Sequence, residues 1–251
     1  MLHISLAAEK IGHIGGLPIT NSLLATWVVM GLLFLFSLLA TRNLTLIPTT
    51  IQLTAEMIIG GLYDFFSSVV GTRIKQFFPL IASFFLFIIV SNWFGLLPGV
   101  GTVGFWHGQE FVPLLRAATA DLNMTVALAL ISIIAIQYYG FKTLGGHYTS
   151  RYLNFKDPIY FFLGILEILS QLSSVLSFAF RLFGNIFAGE VLLAVMAFLM
   201  PFVVPLPFLA MELFVGFIQA LVFSMLTAVF LVIAVTHGEG EHSRGEVSVH
   251  G

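Results

Sequence analysis

The chain has 251 residues, 59% hydrophobic and 9% charged, with a mean hydropathy of +1.03; soluble domains carry about 25% charged residues, so the composition is that of an integral membrane protein. It contains no cysteine, which excludes disulfides, thiolate catalysis and cysteine-ligated metal centres, and its net charge of −2 says little about partners.

Residues 1–22 carry only Glu9 and Lys10 as formal charges and lack a compact basic segment before a short apolar stretch, so they read as an outer-side tail and not a cleaved leader. Residues 23–40 form the first span, closed by Arg42. Ile47, Ile51, Ala55, Ile58, Leu62, Phe65 and Val69 then recur at spacings of three and four, with Gln52, Glu56 and Asp64 between them. That pattern predicts an amphipathic helix along the membrane surface or beneath its neighbours, with Pro48 in the first turn.

The second span covers 77–97 and ends at Leu97-Pro98-Gly99. Residues 99–122 read as a polar loop holding Trp106, His107, Glu110, Arg116 and Asp121; a third span at 124–141 and a basic loop with Lys142, Arg151 and Lys156 follow. Two apolar segments, 159–200 and 208–235, are joined by PFVVPLP, and a Gly/Glu/His-rich tail starts at His237. The division is a tail at 1–22, one transmembrane helical domain at 23–236 and a mobile tail at 237–251. Arg42, Arg73, Lys75, Lys142, Arg151 and Lys156 fall on one side, which the positive-inside rule makes cytoplasmic, with the N-terminus outside and the C-terminus inside. No internal repeat is visible, which weighs against an inverted-repeat transporter.

Segment 159–200 would be about 63 Å long as one helix, against a hydrocarbon core of about 30 Å. It must tilt strongly or break near Gly184-Asn185; its helical pattern continues there, which favours one long tilted helix. Glu167, Gln171, Ser174, Arg181 and Asn185 follow one line along it, interrupted by Phe178. Glu190, nine residues past Arg181, lies about half a turn round, so direct pairing of the two is disfavoured. On the last helix Glu212 and Gln219, seven apart, share a face.

Simpler roles exist for several of these residues. Gln171, Ser174 and Gln219 suit interhelical hydrogen bonds of about 0.6 kcal/mol each. Asn92, Asp121 and Asn123 suit helix capping, or the edge of an outer aqueous funnel, and Trp93 and Trp106 suit the membrane interface. His13 and His147 read as solvated, and the HGEGEH run from His237 to His242 as unligated. Arg181 resists such a reading, because a charge at membrane depth costs at least ~2.5–3.5 kcal/mol and normally faces a cavity or a partner. A carboxyl group can take up and release a proton, whereas arginine stays charged. Acids on two sides of Arg181 would therefore make two access routes that do not communicate, provided a partner supplies a movable carboxylate.

The string RLFGNIFAGE (Arg181 to Glu190) resembles the signature of subunit a of F-type ATP synthases, with supporting matches in NWFGLLPG, ADLNMT, PTTIQLTAE and IQALVFSMLTAVFL, across residues 20 to 236. The resemblance implies an all-α membrane fold: one outer span, an amphipathic surface helix, a transmembrane hairpin and two long tilted helices against a rotor ring. It implies that Arg181 separates two proton half-channels and couples translocation to rotation of the c-ring, with b-type peripheral-stalk subunits as further partners. Asn185 and Gln219 would support Arg181; Glu190 and Glu212 would line the outer half-channel, Glu167 and Ser170 would belong to the inner one, and Ser174 is a further candidate for proton translocation. Family members often carry histidine at one of the Glu190/Glu212 positions. The transported ion would be a proton, with sodium as the alternative; no cofactor, metal or nucleic acid is implied.

Ser/His/Asp geometry, HExxH and phosphate loops are absent, so independent catalysis is not expected. Two rival readings are a secondary transporter binding an anion at Arg181 and an intramembrane enzyme using Glu190 and Glu212. The first lacks repeats, and the second lacks a nucleophile and histidine ligands.

Overall fold

The computed structural model describes residues 9–14, 17–42, 44–45, 47–97, 100, 103–107, 110–145, 158–200 and 203–236. Within them the chain is almost wholly helical, with five apolar stretches long enough to cross a membrane.

A β-hairpin of β1 (Lys10–Ile14) and β2 (Leu17–Thr20) leads into α1 (Asn21–Thr41). Thr20 ends the strand and caps the helix, its side chain accepting from Leu23 N–H, which satisfies one of the free donors of the first turn. Helix α2 (Thr50–Val70) is capped by Thr49, so Pro48 stands just before the cap and not in the first turn as the sequence suggested. Gly71 at φ +65 admits the reversal into α3 (Ile74–Gly95), through a 3-10 turn at Gly71–Arg73.

The segment expected to be a plain polar loop holds a second hairpin, β3 (Gly104–His107) with β4 (Glu110–Pro113), and a 3-10 turn at Ala118–Ala120. Helix α4 (Leu122–Leu144) is capped by Asp121. Helix α5 (Pro158–Leu199) runs unbroken for 42 residues, through Gly184-Asn185, as the apolar pattern predicted. Helix α6 (Pro205–Thr236) completes the chain described.

Helix α6 is central, packed against α2, α3, α4 and α5. One core joins Phe84, Phe85 and Ile88 of α3 to Leu128 and Ala129 of α4, Phe178 and Leu182 of α5, and Ala220 and Phe223 of α6. A second joins Phe66 of α2, Phe77 and Ile81 of α3, Ile136 of α4 and Ala228 and Leu231 of α6. Lipid tails are as apolar as these side chains, so close packing and polar pairing must hold the helices together. The buried alanines 129, 179, 220 and 228 let helices approach, and phenylalanine rings fill the gaps, as where Phe223 meets Phe84 and Phe178 at 5.3 and 5.5 Å between centroids. Outward, α1 and α2 expose Trp27, Phe34, Leu35, Ile51, Met57 and Phe65.

Candidate functional site

The site lies where α5 and α6 run together. Arg181 is exposed on the outer surface of the bundle, and its Nη2 donates to Ser177 Oγ one turn earlier at 3.4 Å. Among the described residues no carboxylate pairs with it. Its neighbour Phe180 is also exposed, at 55%. One turn beyond Arg181, Asn185 Nδ2 donates to Gln219 Oε1 at 2.8 Å, tying the arginine's helix to α6. Gln219 is only 4% exposed, and its Nε2 is buried without a hydrogen-bond partner.

The polar line read along α5 does not remain one surface. Gln171 bonds to Gln137 of α4, Phe178 is buried against Phe223 and Phe230, and Arg181 points away from the bundle. Ser174 Oγ donates to the Ser170 carbonyl, with Ser170 exposed. Glu167 lies on α5, but its side chain is outside the described residues. The aromatic layer of Phe84, Phe178 and Phe223 thus separates a polar group at Gln137, Gln171, Ser132 and Thr227 from the acids further along.

Those acids occupy different settings. Glu212 is 3% exposed, and its Oε1 has no hydrogen-bond partner. Its carboxyl sits against the backbone of Gly189, where a side chain would collide with both carboxyl oxygens. Glu190, the next residue, lies within electrostatic range of Glu212. Gly189→Ala is therefore expected to displace a flexible carboxyl and no backbone. Helix packing should be unchanged, so the purified variant should keep its native helical content by circular dichroism; a loss of helix would show that Gly189 is needed for packing.

Glu190 is not free. Arg116, read from sequence as a loop charge, is 8% exposed and forms an ion pair with it: Nη2 lies 2.9 Å from Oε2 and Nε 3.1 Å from the same oxygen. The guanidinium also stands over the Phe187 ring at 5.7 Å. The local fold explains this placement. The 3-10 turn Ala118–Ala120 packs on α5, with Ala117 and Ala120 against Ile186, one turn before Glu190. The absence of a side chain at Gly95 allows α3 to touch Ala117.

Asn92 also departs from its simpler reading. It is buried and caps nothing; its Nδ2 donates to the Gly216 carbonyl at 2.9 Å, and its Oδ1 accepts from Thr119 at 2.6 Å. Trp93 Nε1 donates to the Leu213 carbonyl, so two adjacent residues of α3 fasten the turn of α6 that carries Glu212. Asp121 keeps its expected capping role. It caps α4 through Asn123 N–H at 3.0 Å, accepts from Ser22 Oγ at 2.8 Å, and with Thr20, Ser22 and Asn123 lines a cavity of about 270 Å³ between the starts of α1 and α4. The sequence reading missed Arg116, Thr119, Ser22 and Gly189. The tail histidines, His147, Arg151 and Lys156 lie outside the described residues.

The ATP synthase A chain family matches residues 23–232. The chain is 37% identical over 209 residues to the ATP synthase subunit a of Geobacter sulfurreducens, covering 82% of this chain and 83% of that protein. It is 38% identical over 209 residues to the ATP synthase subunit a 1 of Pelobacter propionicus, with the same coverage. Over 236 residues it is 35% identical to the ATP synthase subunit a of Trichlorobacter lovleyi, covering 92% of this chain and 95% of that one.

Proposed function

Because this chain belongs to the ATP synthase A chain family, we propose that it is the stationary membrane subunit against which a ring of proton-carrying c subunits turns. The observation that carries the reading is Arg181: a permanent cation, exposed on an apolar helix face, with no carboxylate of its own among the described residues. Such a charge calls for an anionic partner, and a rotor carboxylate at the same depth supplies one. Proton transfer then needs two aqueous approaches that end on either side of Arg181.

The outer approach begins at the cavity beside Asp121 and Asn123, passes Asn92 and Thr119, and reaches Glu190 and Glu212. The inner approach runs by Glu167, Ser170 and Ser174. A proton arriving from outside protonates a ring carboxylate, the ring turns, and the carboxylate meeting Arg181 again releases its proton to the inner side. Arg181 favours the ionised form of that carboxylate and repels a proton seeking a direct path. Asn185 and Gln219 hold the arginine's helix in register with α6. The subunit performs no covalent chemistry, and nucleotide turnover belongs to other subunits. The basic loops face the cytoplasm, the N-terminus lies outside, and the apolar faces of α1 and α2 meet lipid and b-type stalk subunits. Exposure of Arg181 on the rim of the bundle, away from any central cavity, counts against an anion transporter; the Arg116 pair counts against Glu190 as an enzyme's acid or base.

The chain lacks cysteine, so one introduced cysteine is a clean probe of this face. Phe180→Cys in the assembled complex is expected to cross-link on oxidation to a cysteine beside the carboxylate of the ring subunit, whereas Leu130→Cys on the exposed face of α4 is not. A cross-link from Leu130 and none from Phe180 would place the ring elsewhere and overturn the proposal.

A further inference from the structure

The two outer acids are not equivalent. Glu190 is held by two donors of Arg116, while Glu212 has a buried oxygen without a hydrogen bond and is seated on a glycine. We propose that Arg116 is a positioning residue: it fixes Glu190 as a permanently paired carboxylate and so reserves Glu212 as the carboxyl that takes and passes on the proton. This inference rests on the half-channel reading above.

The charge balance requires such a device. Two carboxylates in electrostatic range repel, and the cost is largest when both are ionised. Glu212 must be ionised each time it has passed its proton on, so an uncompensated Glu190 would oppose every cycle. Paired with Arg116, Glu190 opposes that ionisation less than a bare carboxylate would. Arginine suits this role because its fork engages a carboxylate through more than one N–H and it keeps its charge under all conditions. The arginine side of the pair is held in place: Phe187 lies under the guanidinium, and Ala117 and Ala120 pack against Ile186. In each transfer a proton from water converts the Glu212 carboxylate to the acid, and Glu212 returns to the carboxylate on handing that proton to the ring. The Glu190 carboxylate is unchanged throughout.

Removing one member of a half-buried ion pair leaves an unpaired charge, whereas removing both leaves none. At matched assembly, ATP-driven acidification of vesicles should fall about tenfold or more in Arg116→Gln, and Arg116→Lys, which keeps the charge, should retain most of it. The double variant Arg116→Gln/Glu190→Gln should recover severalfold over Arg116→Gln. If Arg116→Gln fails to assemble, the double variant decides alone and should assemble and pump. A double variant no better than Arg116→Gln, or one that is inactive where the single cannot be assembled, would overturn the inference, as would Arg116→Lys as impaired as Arg116→Gln. An Arg181→Ala control separates the two layers: if that variant pumps normally the half-channel reading itself fails, and if it does not, failure of the double variant counts against Arg116 alone.

Discussion

Arg181→Ala is expected to abolish ATP-driven acidification of inverted vesicles while leaving passive proton conduction through membranes stripped of the catalytic sector. The two readouts diverge because the proposed mechanism gives the arginine two tasks. An opposite charge at about 4 Å is worth ~4 kcal/mol at an effective dielectric near 20, so its loss removes roughly a thousandfold of the drive that makes a ring carboxylate release its proton. In that mechanism the same charge bars protons from crossing without rotation, so its loss would open the direct path. Arg181 is exposed, and among the described residues its hydrogen bond is a long one to Ser177, so its removal leaves no buried group unpartnered and assembly should survive. Intact pumping at matched assembly would sink the role assigned to Arg181.

Glu212→Gln should behave differently, losing both pumping and passive conduction. Glutamine has nearly the same shape and fits the notch over Gly189, but it cannot take up a proton. Loss of a positioned proton-transfer group typically costs about a hundredfold to ten-thousandfold. The residue is 3% exposed and its carboxyl has no strong partner to lose, so helix packing should tolerate the change. Passive conduction at the native rate in Glu212→Gln would remove this residue from the proton path.

The helical frame was legible because each span is a long apolar run and α2 has a clear period; the unbroken α5 followed from its continuous pattern through Gly184. Arg181, Asn185, Glu190, Glu212 and Gln219 were legible for a different reason, since polar residues in such runs are costly and therefore few. What the sequence hid lies in the connections. Gly15-Gly16, flanked by short runs, is a hairpin signal that reads weakly beside strong apolar spans, so β1 and β2 went unseen. The second hairpin carries no such pair. Arg116 was misjudged because its loop position suggested solvent, and burial of a loop residue depends on how the 3-10 turn at Ala118–Ala120 folds back on α5, where Ala120 meets Ile186, 66 residues later in the chain. Asn92 looked like a cap for the same reason: its partners Gly216 and Thr119 are distant in sequence.

The exposure of Arg181 has a consequence for the life of the protein before the motor exists. On the proposed reading, a newly inserted copy presents a permanent charge to hydrocarbon, a burden of at least ~2.5 kcal/mol until the ring covers it. The unassembled subunit is thus at its least comfortable on the very face that later does the work.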